Sequence, residues 1–116
     1  MIRGDVVLVP FPFQDKLGDK IRTALVVQSD GETRRLANVV LAMITGNLAD
    51  AGRPTTVFVD PATHDGASSG LHGPSLVKCS NLATIRQQRV VHVIGHMSAI
   101  GMRQVDDALK AALELP

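Results

Sequence analysis

A series of short apolar segments, each followed by turn-forming residues, most constrains how this chain of 116 residues can fold. In order, the segments are VVLVPF, RTALVVQ, LANVVLAMIT, TTVFV, SLVKCSN and LATIRQQRVVHVIGHM, the last of which contains further short strands. They are rich in β-branched residues, and Gly, Pro, Asp and Asn separate them, which is typical of strands joined by turns. About five to seven strands of this kind predict a mainly β fold, a small twisted barrel or sandwich.

The segments also indicate which strands are neighbours and where the single helix lies. The sequence SDGET, between the second and third segments, is a turn signal and predicts that the strands on either side pair antiparallel. Only the end of the chain is expected to be helical, with Ser98 as its N-cap. Apolar residues recur there at three- and four-residue spacing on one face, namely Met102, Val105, Leu109, Ala112 and Leu113.

The length and composition predict a single domain, residues 1–116, in a reducing compartment. A chain of this size can bury an ordinary core without disulfides or structural metal ions. Its single cysteine, Cys79, cannot form an internal disulfide. The N-terminus enters a strand without a secretory segment, and no apolar run approaches the roughly 20 residues that cross a bilayer. We therefore expect a cytoplasmic protein with no membrane association, in which Cys79 is a small buried strand residue.

The charge is unevenly distributed, although the net charge is only +1. Between Asp65 and Asp106 the chain has no acidic residue. The basic residues and histidines of that stretch are Lys78, Arg86, Arg89, Arg103, His72, His92 and His96. If the stretch folds onto one face, it forms a patch that attracts phosphates or an acidic partner chain; the alternative is that the charges are scattered over several strands.

Aromatic residues are scarce. The chain has three phenylalanines and neither Trp nor Tyr. Proteins that hold single-stranded nucleic acid by stacking many bases need more aromatic side chains than this. Any contact with nucleic acid is therefore expected to depend on backbone, arginine and a few polar groups.

Five ordered motifs resemble one protein family. They are RGDVVLVPF, RTALVVQS, LAMITG, VKCSNLATI, and IGHMS before an amphipathic helix. Together, from about Gly4 to Leu115, they resemble the MazF/PemK family of toxin endoribonucleases. The resemblance implies an SH3-like barrel of the CcdB/PemK type with a C-terminal helix. It implies a homodimer that cleaves single-stranded RNA, usually mRNA, by metal-independent 2′-hydroxyl transesterification, and a cognate antitoxin whose acidic, disordered tail occupies the RNA groove.

The resemblance also implies the position of the catalytic residues. Arg22 falls where the family has the arginine of an Arg-Pro-Ala triplet, and Thr45 falls on the threonine that closes the third strand. Attack of a ribose 2′-hydroxyl on phosphorus builds negative charge on a pentacoordinate phosphate, and a fixed guanidinium meets that charge with a planar fork of donors. The plainer alternatives are that Arg22 caps a strand edge or pairs with Asp19, and that Thr45 only favours extended backbone.

The general base is not evident in the sequence. Some family members read Arg-Cys-Asp-Gln where this chain has KCSN at residues 78–81, and there the Arg and Asp have been given acid and base roles. Lys78 keeps the charge without the bidentate geometry, and Ser80 is a poor base. Either the base comes from elsewhere, with Asp19 or a histidine as candidates, or the arginine and threonine suffice at a reduced rate.

Two further consequences follow from the resemblance. Family members read the RNA sequence with their first loop, so Phe13, Gln14 and Lys20 are candidate RNA-binding residues. Thr23 stands where the family usually has proline, and without the proline ring Arg22 is less firmly aimed.

The four histidines do not indicate a second kind of site. His64 and His72 lie in a glycine-rich loop, and His92 and His96, four apart in one presumed strand, are expected on one face. An imidazole can act as acid and base near neutrality, but this spacing does not suit a pair flanking one phosphate. Without a nearby cysteine or carboxylate it does not suit a metal either, so no metal and no cofactor are expected.

Two other functions fit the same motifs. A catalytically weak family member would act as an RNA- or antitoxin-binding regulatory module, and Thr23 and Ser80 favour that alternative. A gyrase poison of the related CcdB type shares the barrel and the dimer. Such proteins act through a C-terminal tip that bears tryptophan, whereas this chain ends Glu114-Leu115-Pro116.

Overall fold

The computed structural model describes residues 1–11 and 20–116. The strands are β1 (Asp5–Phe11), β2 (Lys20–Val26), β3 (Asn38–Thr45), β4 (Thr56–Val59), β5 (Ser75–Arg86) and β6 (His92–His96). The helices are α1 (Asp30–Arg35) and α2 (Ala99–Leu113), and two 3-10 turns lie at Ala67–Ser69 and Gln87–Arg89. The strands form one antiparallel sheet in the order β4-β5-β3-β2-β1-β6. The predicted mainly β fold with a C-terminal helix is confirmed.

Apolar residues fill both faces of the sheet. On the face that α2 covers, which we call the helix face, the cluster consists of Val6, Leu25, Ala42, Ile44, Val57, Val59, Val77, Cys79, Met97, Val105 and Ala108. On the other, which we call the inner face, the cluster consists of Val7, Val9, Ala24, Val26, Val39, Leu41 and Ile85. The inner-face residues come from four strands and bury one another, so the sheet curls around them as in a small barrel.

The long strand β5 changes its register against β3 halfway along. Leu82 pairs with Ala42, but the next partner of β3, Met43, pairs with Lys78. Residues 79–81 therefore have no partner in β3 and form a three-residue bulge. The segments SLVKCSN and LATIR, predicted as separate strands, are one strand, because the backbone of the bulge stays extended.

The segment SDGET is not a simple turn. Ser29 is the N-cap of α1, where its hydroxyl accepts a hydrogen bond from the Glu32 N–H at 3.3 Å. Asp30 and Glu32 lie in the first turn and Arg34 and Arg35 in the last, which complements the helix dipole. The prediction that only the end of the chain is helical is therefore wrong, although β2 and β3 are antiparallel neighbours as predicted.

The C-terminal helix is confirmed, with one correction. The Gly101 N–H donates to the Ser98 hydroxyl at 3.0 Å, as expected of the N-cap. The side of α2 that packs on the sheet runs through Gly101, Val105, Ala108 and Ala112. Leu113 was expected on this side but is 52% exposed, because one residue beyond Ala112 is a rotation of about 100° around the helix.

Candidate active site

Arg22 and Thr45 lie on neighbouring strands, just beyond the point where β2 and β3 stop pairing. The two strands pair with Ala24 opposite Met43. Arg22 and Thr45 each lie two residues beyond that pair, past the end of the ladder, so both start on the same face of the sheet. Arg22 is held instead by pairing with Val9 of β1, and Thr45 by pairing with Leu76 of β5.

Both side chains line one groove of about 410 Å³, which we call the phosphate groove. Its lining residues are Leu8, Ile21, Arg22, Thr23, Met43, Ile44, Thr45 and Gly46. The groove opens where the ladder between β2 and β3 ends at Ala24 and Met43. The only hydrogen bond the described residues make across this gap is a long one, from the Thr23 hydroxyl to the Ile44 carbonyl at 3.4 Å.

Arg22 and Thr45 keep hydrogen-bonding capacity for a ligand. Arg22 is exposed and has no hydrogen bond or ion pair with any other residue of the described ranges. The Thr45 hydroxyl accepts from the Asn47 N–H at 3.1 Å, which leaves its own proton to donate. The groove therefore presents a guanidinium and a hydroxyl, two kinds of donor that can bind an anionic oxygen.

Lys78 lies near the same groove but is already paired. It is opposite Met43 in β5, so it shares the face of Thr45 two residues away. Its ammonium lies 3.0 Å from the Asp50 carboxylate, and that hydrogen-bonded pair lowers the pKa of Asp50 below its ordinary value. A small pocket of about 120 Å³ joins Lys78 and Asp50 to Thr45 and Met43. Sequence reasoning missed Asp50, because nothing near it along the chain indicates its partner.

The bulge carries the other residues of the KCSN segment. Ser80 is exposed there and lines neither the phosphate groove nor the pocket beside it. The Asn81 amide contacts the Met43 sulfur at 3.2 Å. Cys79 is buried as expected, and burial raises the pKa of its thiol to about 11. That thiol is closed off from solvent within the helix-face cluster.

Contrary to the expectation from the sequence, His92 and His96 do not share a face of the sheet. A bulge at Ile94 shifts the register, so that Val7 pairs with Val93 but Val6 pairs with Gly95. His92 thus lies opposite Leu8 and His96 opposite Asp5, on opposite faces of the sheet. The expectation that they share a face is wrong for this reason, and the His96 imidazole instead contacts Asp5, with Nδ1 2.9 Å from Oδ1.

The acid-free stretch does not form a basic patch. Lys78 pairs opposite Met43 on the inner face, whereas the bulge turns Arg86, opposite Asn38, toward the helix face. Arg103 lies on α2. The scattered alternative is correct, because the charges are spread over three surfaces of the molecule.

Some predicted residues remain outside the described ranges. Phe13, Gln14 and Asp19 fall in the segment 12–19, so their roles and the pairing of Arg22 with Asp19 stay predictions. Lys20 begins β2 and is exposed. Within residues 1–11 and 20–116, no three His, Cys, Asp or Glu side chains are placed to hold a metal ion. No helix in the described part of the chain has the length and apolarity to cross a membrane.

Comparison with known proteins identifies the family of this chain. The model of the PemK-like, MazF-like toxins of type II toxin-antitoxin systems matches residues 2–113. Endoribonuclease MazF6 of Mycobacterium tuberculosis is 36% identical over 97 residues, which are 83% of this chain and 81% of that protein. Endoribonuclease EndoA of Bacillus subtilis is 30% identical over 114 residues, which are 97% of this chain and 94% of the relative.

Solved structures share the fold. The Mycobacterium tuberculosis toxin MazF-mt6 superposes with a TM-score of 0.76 at 27% identity, over 97% of this chain and 98% of that one. A mycobacterial endoribonuclease in complex with its cognate antitoxin superposes with a TM-score of 0.79 at 22% identity, over 100% and 97%. The predicted family and fold are confirmed. The chain belongs to the PemK-like and MazF-like toxins of type II toxin-antitoxin systems.

Proposed function

We propose that this protein is an endoribonuclease that cuts single-stranded RNA, and that Arg22 and Thr45 hold the phosphate that is cut. The observation that carries the proposal is the phosphate groove, which is lined both by an exposed arginine without a partner among the described residues and by a threonine. The endoribonuclease relatives at 36% and 30% identity support the same activity.

In the proposed reaction the ribose 2′-oxygen attacks the adjacent phosphorus and the bond from phosphorus to the 5′-oxygen breaks. The products are a 2′,3′-cyclic phosphate and a 5′-hydroxyl. A base takes the 2′-hydroxyl proton and the leaving oxygen gains one. Arg22 would donate to two non-bridging oxygens, where negative charge grows, and Thr45 would donate to the same group. Because both residues stand on paired strands, the donors are in place before RNA binds.

The general base is still open in this proposal. The Lys78 ammonium is paired with Asp50 at 3.0 Å, and the exposed Ser80 has no carboxylate. Asp19 remains a candidate in the segment outside the described ranges. Without a strong base the reaction depends on stabilising the negative charge that grows on the phosphate. In other enzymes, removing a single hydrogen-bond donor of this kind slows the reaction by about 10²–10³.

We also propose the biological setting. The protein acts in the cytoplasm on mRNA as a homodimer and is inhibited by an antitoxin with an acidic segment. The mycobacterial endoribonuclease solved with its cognate antitoxin supports such a partner. Carboxylates of that segment would compete for Arg22 as phosphate oxygens do.

Cleavage of a mixed-sequence RNA in EDTA tests the function. The wild-type protein is expected to release fragments with 5′-hydroxyl and cyclic phosphate ends, and Arg22→Ala should slow cleavage by about 10² or more. Arg22→Lys should remain slow, because an ammonium lacks the planar fork. Arg34→Ala, in α1, is the matched control and should cut at the wild-type rate. Equal rates for Arg22→Ala and wild type would contradict the assignment.

A weaker alternative has its own supporting observation. The described bulge offers no carboxylate, and the phosphate groove lacks the proline that family members place beside the arginine. If the wild-type protein binds the RNA but yields no fragments after long incubation, it is an RNA-binding or antitoxin-binding module rather than an enzyme.

A further inference from the structure

A second and larger cavity adjoins the phosphate groove. It has a volume of about 520 Å³. Its lining residues are Leu8, Thr23, Gly46, Gly70, Leu71, His72, Gly73, Pro74, Ser75 and Ile94. Most of this lining is apolar or glycine, with few polar side chains, which is the composition of a pocket for a flat organic group rather than for an ion.

The cavity and the phosphate groove are continuous. They share Leu8, Thr23 and Gly46 as lining residues. Leu8 and Thr23 are paired across β1 and β2, so they form one fixed floor beneath both spaces. Arg22 precedes Thr23 in the same strand and starts on the other face, but both residues line the phosphate groove, which opens between β2 and β3 and reaches both faces there. A ligand whose anionic group lies in the groove at Arg22 can therefore place its next group across this opening, in the cavity.

The outer wall of the cavity is held firmly. Residues 70–74 follow the 3-10 turn Ala67–Ser69, and Ser68 donates to the His96 carbonyl of β6 at 2.7 Å. A Cβ on Gly70 would lie 2.1 Å from the Ile94 carbonyl oxygen, so the backbones touch there and only glycine fits. Gly70 also has a φ of +73°, which glycine adopts at no steric cost. The wall is therefore preformed, which lowers the entropy lost on binding.

We infer that this cavity, which we call the base pocket, receives a nucleobase of the RNA directly beside the scissile phosphate. The inference rests on the proposed function, because the cavity is assigned to a nucleobase only if an RNA phosphate binds at Arg22. Single-stranded RNA has unstacked bases that insert between apolar and aromatic side chains. Of the residues predicted from the sequence to read RNA, Lys20 lies in the described part of the chain, and it does not line this pocket.

Two side chains of the base pocket are suited to bind a base. His72 is exposed and has no hydrogen bond or ion pair with the residues described, so its ring can stack on the base. The Thr23 hydroxyl makes a long hydrogen bond to the Ile44 carbonyl at 3.4 Å. It can exchange this weak bond for a hydrogen bond to the edge of a base. Threonine in place of the family's proline thus adds a polar group that reads sequence.

The test uses an RNA oligonucleotide with a mapped cut site, in which each base flanking the cut is replaced in turn by an abasic ribose. One abasic position should lower kcat/KM of the wild-type protein by about 5-fold or more, as loss of one stacked base does elsewhere. His72→Ala should cause a similar loss on the intact oligonucleotide and no further loss on that abasic one. His64→Ala is the matched control, because His64 lies in the same connection between β4 and β5, is fully exposed and does not line the pocket.

Thr23 is tested by sequencing the 5′ ends of fragments from a long RNA. Thr23→Val should alter which base flanks the cut, and Thr23→Ser should restore the wild-type preference by returning the hydroxyl. The inference is overturned if His72→Ala slows the intact and abasic substrates equally, or if neither variant changes rate or preference while the wild type cuts. If the wild-type protein cuts nothing, the proposed function itself has failed.

Discussion

Replacing Asp50 with asparagine should strengthen RNA binding by releasing Lys78. Lys78 lies beside Thr45 and is held by the Asp50 carboxylate at 3.0 Å. A lysine bound to a carboxylate cannot release a counterion from RNA, whereas a free one can. Each additional phosphate that a protein neutralises on a single strand steepens the plot of log K against log salt by about 0.7. When salt rises from about 50 to 200 mM, the RNA affinity of Asp50→Asn should therefore fall by a factor roughly 2.6 times larger than the affinity of the wild-type protein does.

The assay is fluorescence anisotropy of a labelled oligonucleotide with 2′-deoxy riboses, which binds without being cut, over a series of salt concentrations. Asp65→Asn is the control: it changes the net charge equally, but Asp65 pairs with His64 and does not line the phosphate groove. Asp50 also pairs with Arg53 at 3.3 Å, so the double variant Asp50→Asn/Lys78→Ala is needed. It should lose the added slope.

The reasoning would be refuted if Asp50→Asn and Asp65→Asn gave the same slope, or if the double variant kept the steeper one. The pH dependence adds a check. Lys78 lowers the pKa of Asp50 from its ordinary 3.8. The contribution of the pair to stability is therefore present above that ordinary value and is lost as pH falls through the lowered pKa. Between about pH 5 and 8 the pair stays intact, so titration of Asp50 should not alter RNA binding there.

Three further predictions concern the fold. Val105→Ala should lower the free energy of unfolding by about 2–3 kcal/mol, because Val105 is fully buried between α2 and the sheet. Leu113→Ala should lower it by less than about 0.5 kcal/mol, because Leu113 is exposed. Urea unfolding measures both, and similar losses for the two variants would contradict the packing of α2. Ser98→Ala should cost about 1 kcal/mol in the same assay through loss of the N-cap, and no change would argue against the cap. With a pKa of about 11, the Cys79 thiol should react with iodoacetamide at pH 8 only after denaturation, so rapid labelling of the native protein would show that it is not buried.

The sequence predicted the strands of this fold better than their connections. Runs of β-branched residues identified β1 to β4, because short runs of this composition between turn-forming residues are typical of strands. The bulges could not be predicted, since the residues of β5 and β6 remain extended on both sides of each shift. That is why His92 and His96 were expected on one face. The short helix α1 was taken for a turn because Ser, Asp and Gly serve both structures.

The candidate site was predicted in part, and for reasons that differ between residues. Arg22 and Thr45 were named from a family resemblance, and the groove they share lies where β2 and β3 stop pairing, which no local pattern reveals. The restraint of Lys78 by Asp50 could not be foreseen, because the two residues are distant in sequence and meet only after β5 pairs with β3. The base pocket likewise requires the loop after Ala67–Ser69 to dock on β6.

The three-residue bulge of β5 also bears on how such a protein can change over time. Ser80 is exposed and has no partner in β3, so a substitution there alters neither the pairing of the strand nor the core. At most positions on a sheet face, a substitution that changes the chemistry of the side chain also changes stability, because the new side chain must fit its cross-strand neighbours. Residue 80 is released from that constraint. A single substitution could therefore exchange hydroxyl for carboxylate at low cost in stability, so the charge of the bulge can change while the barrel stays the same.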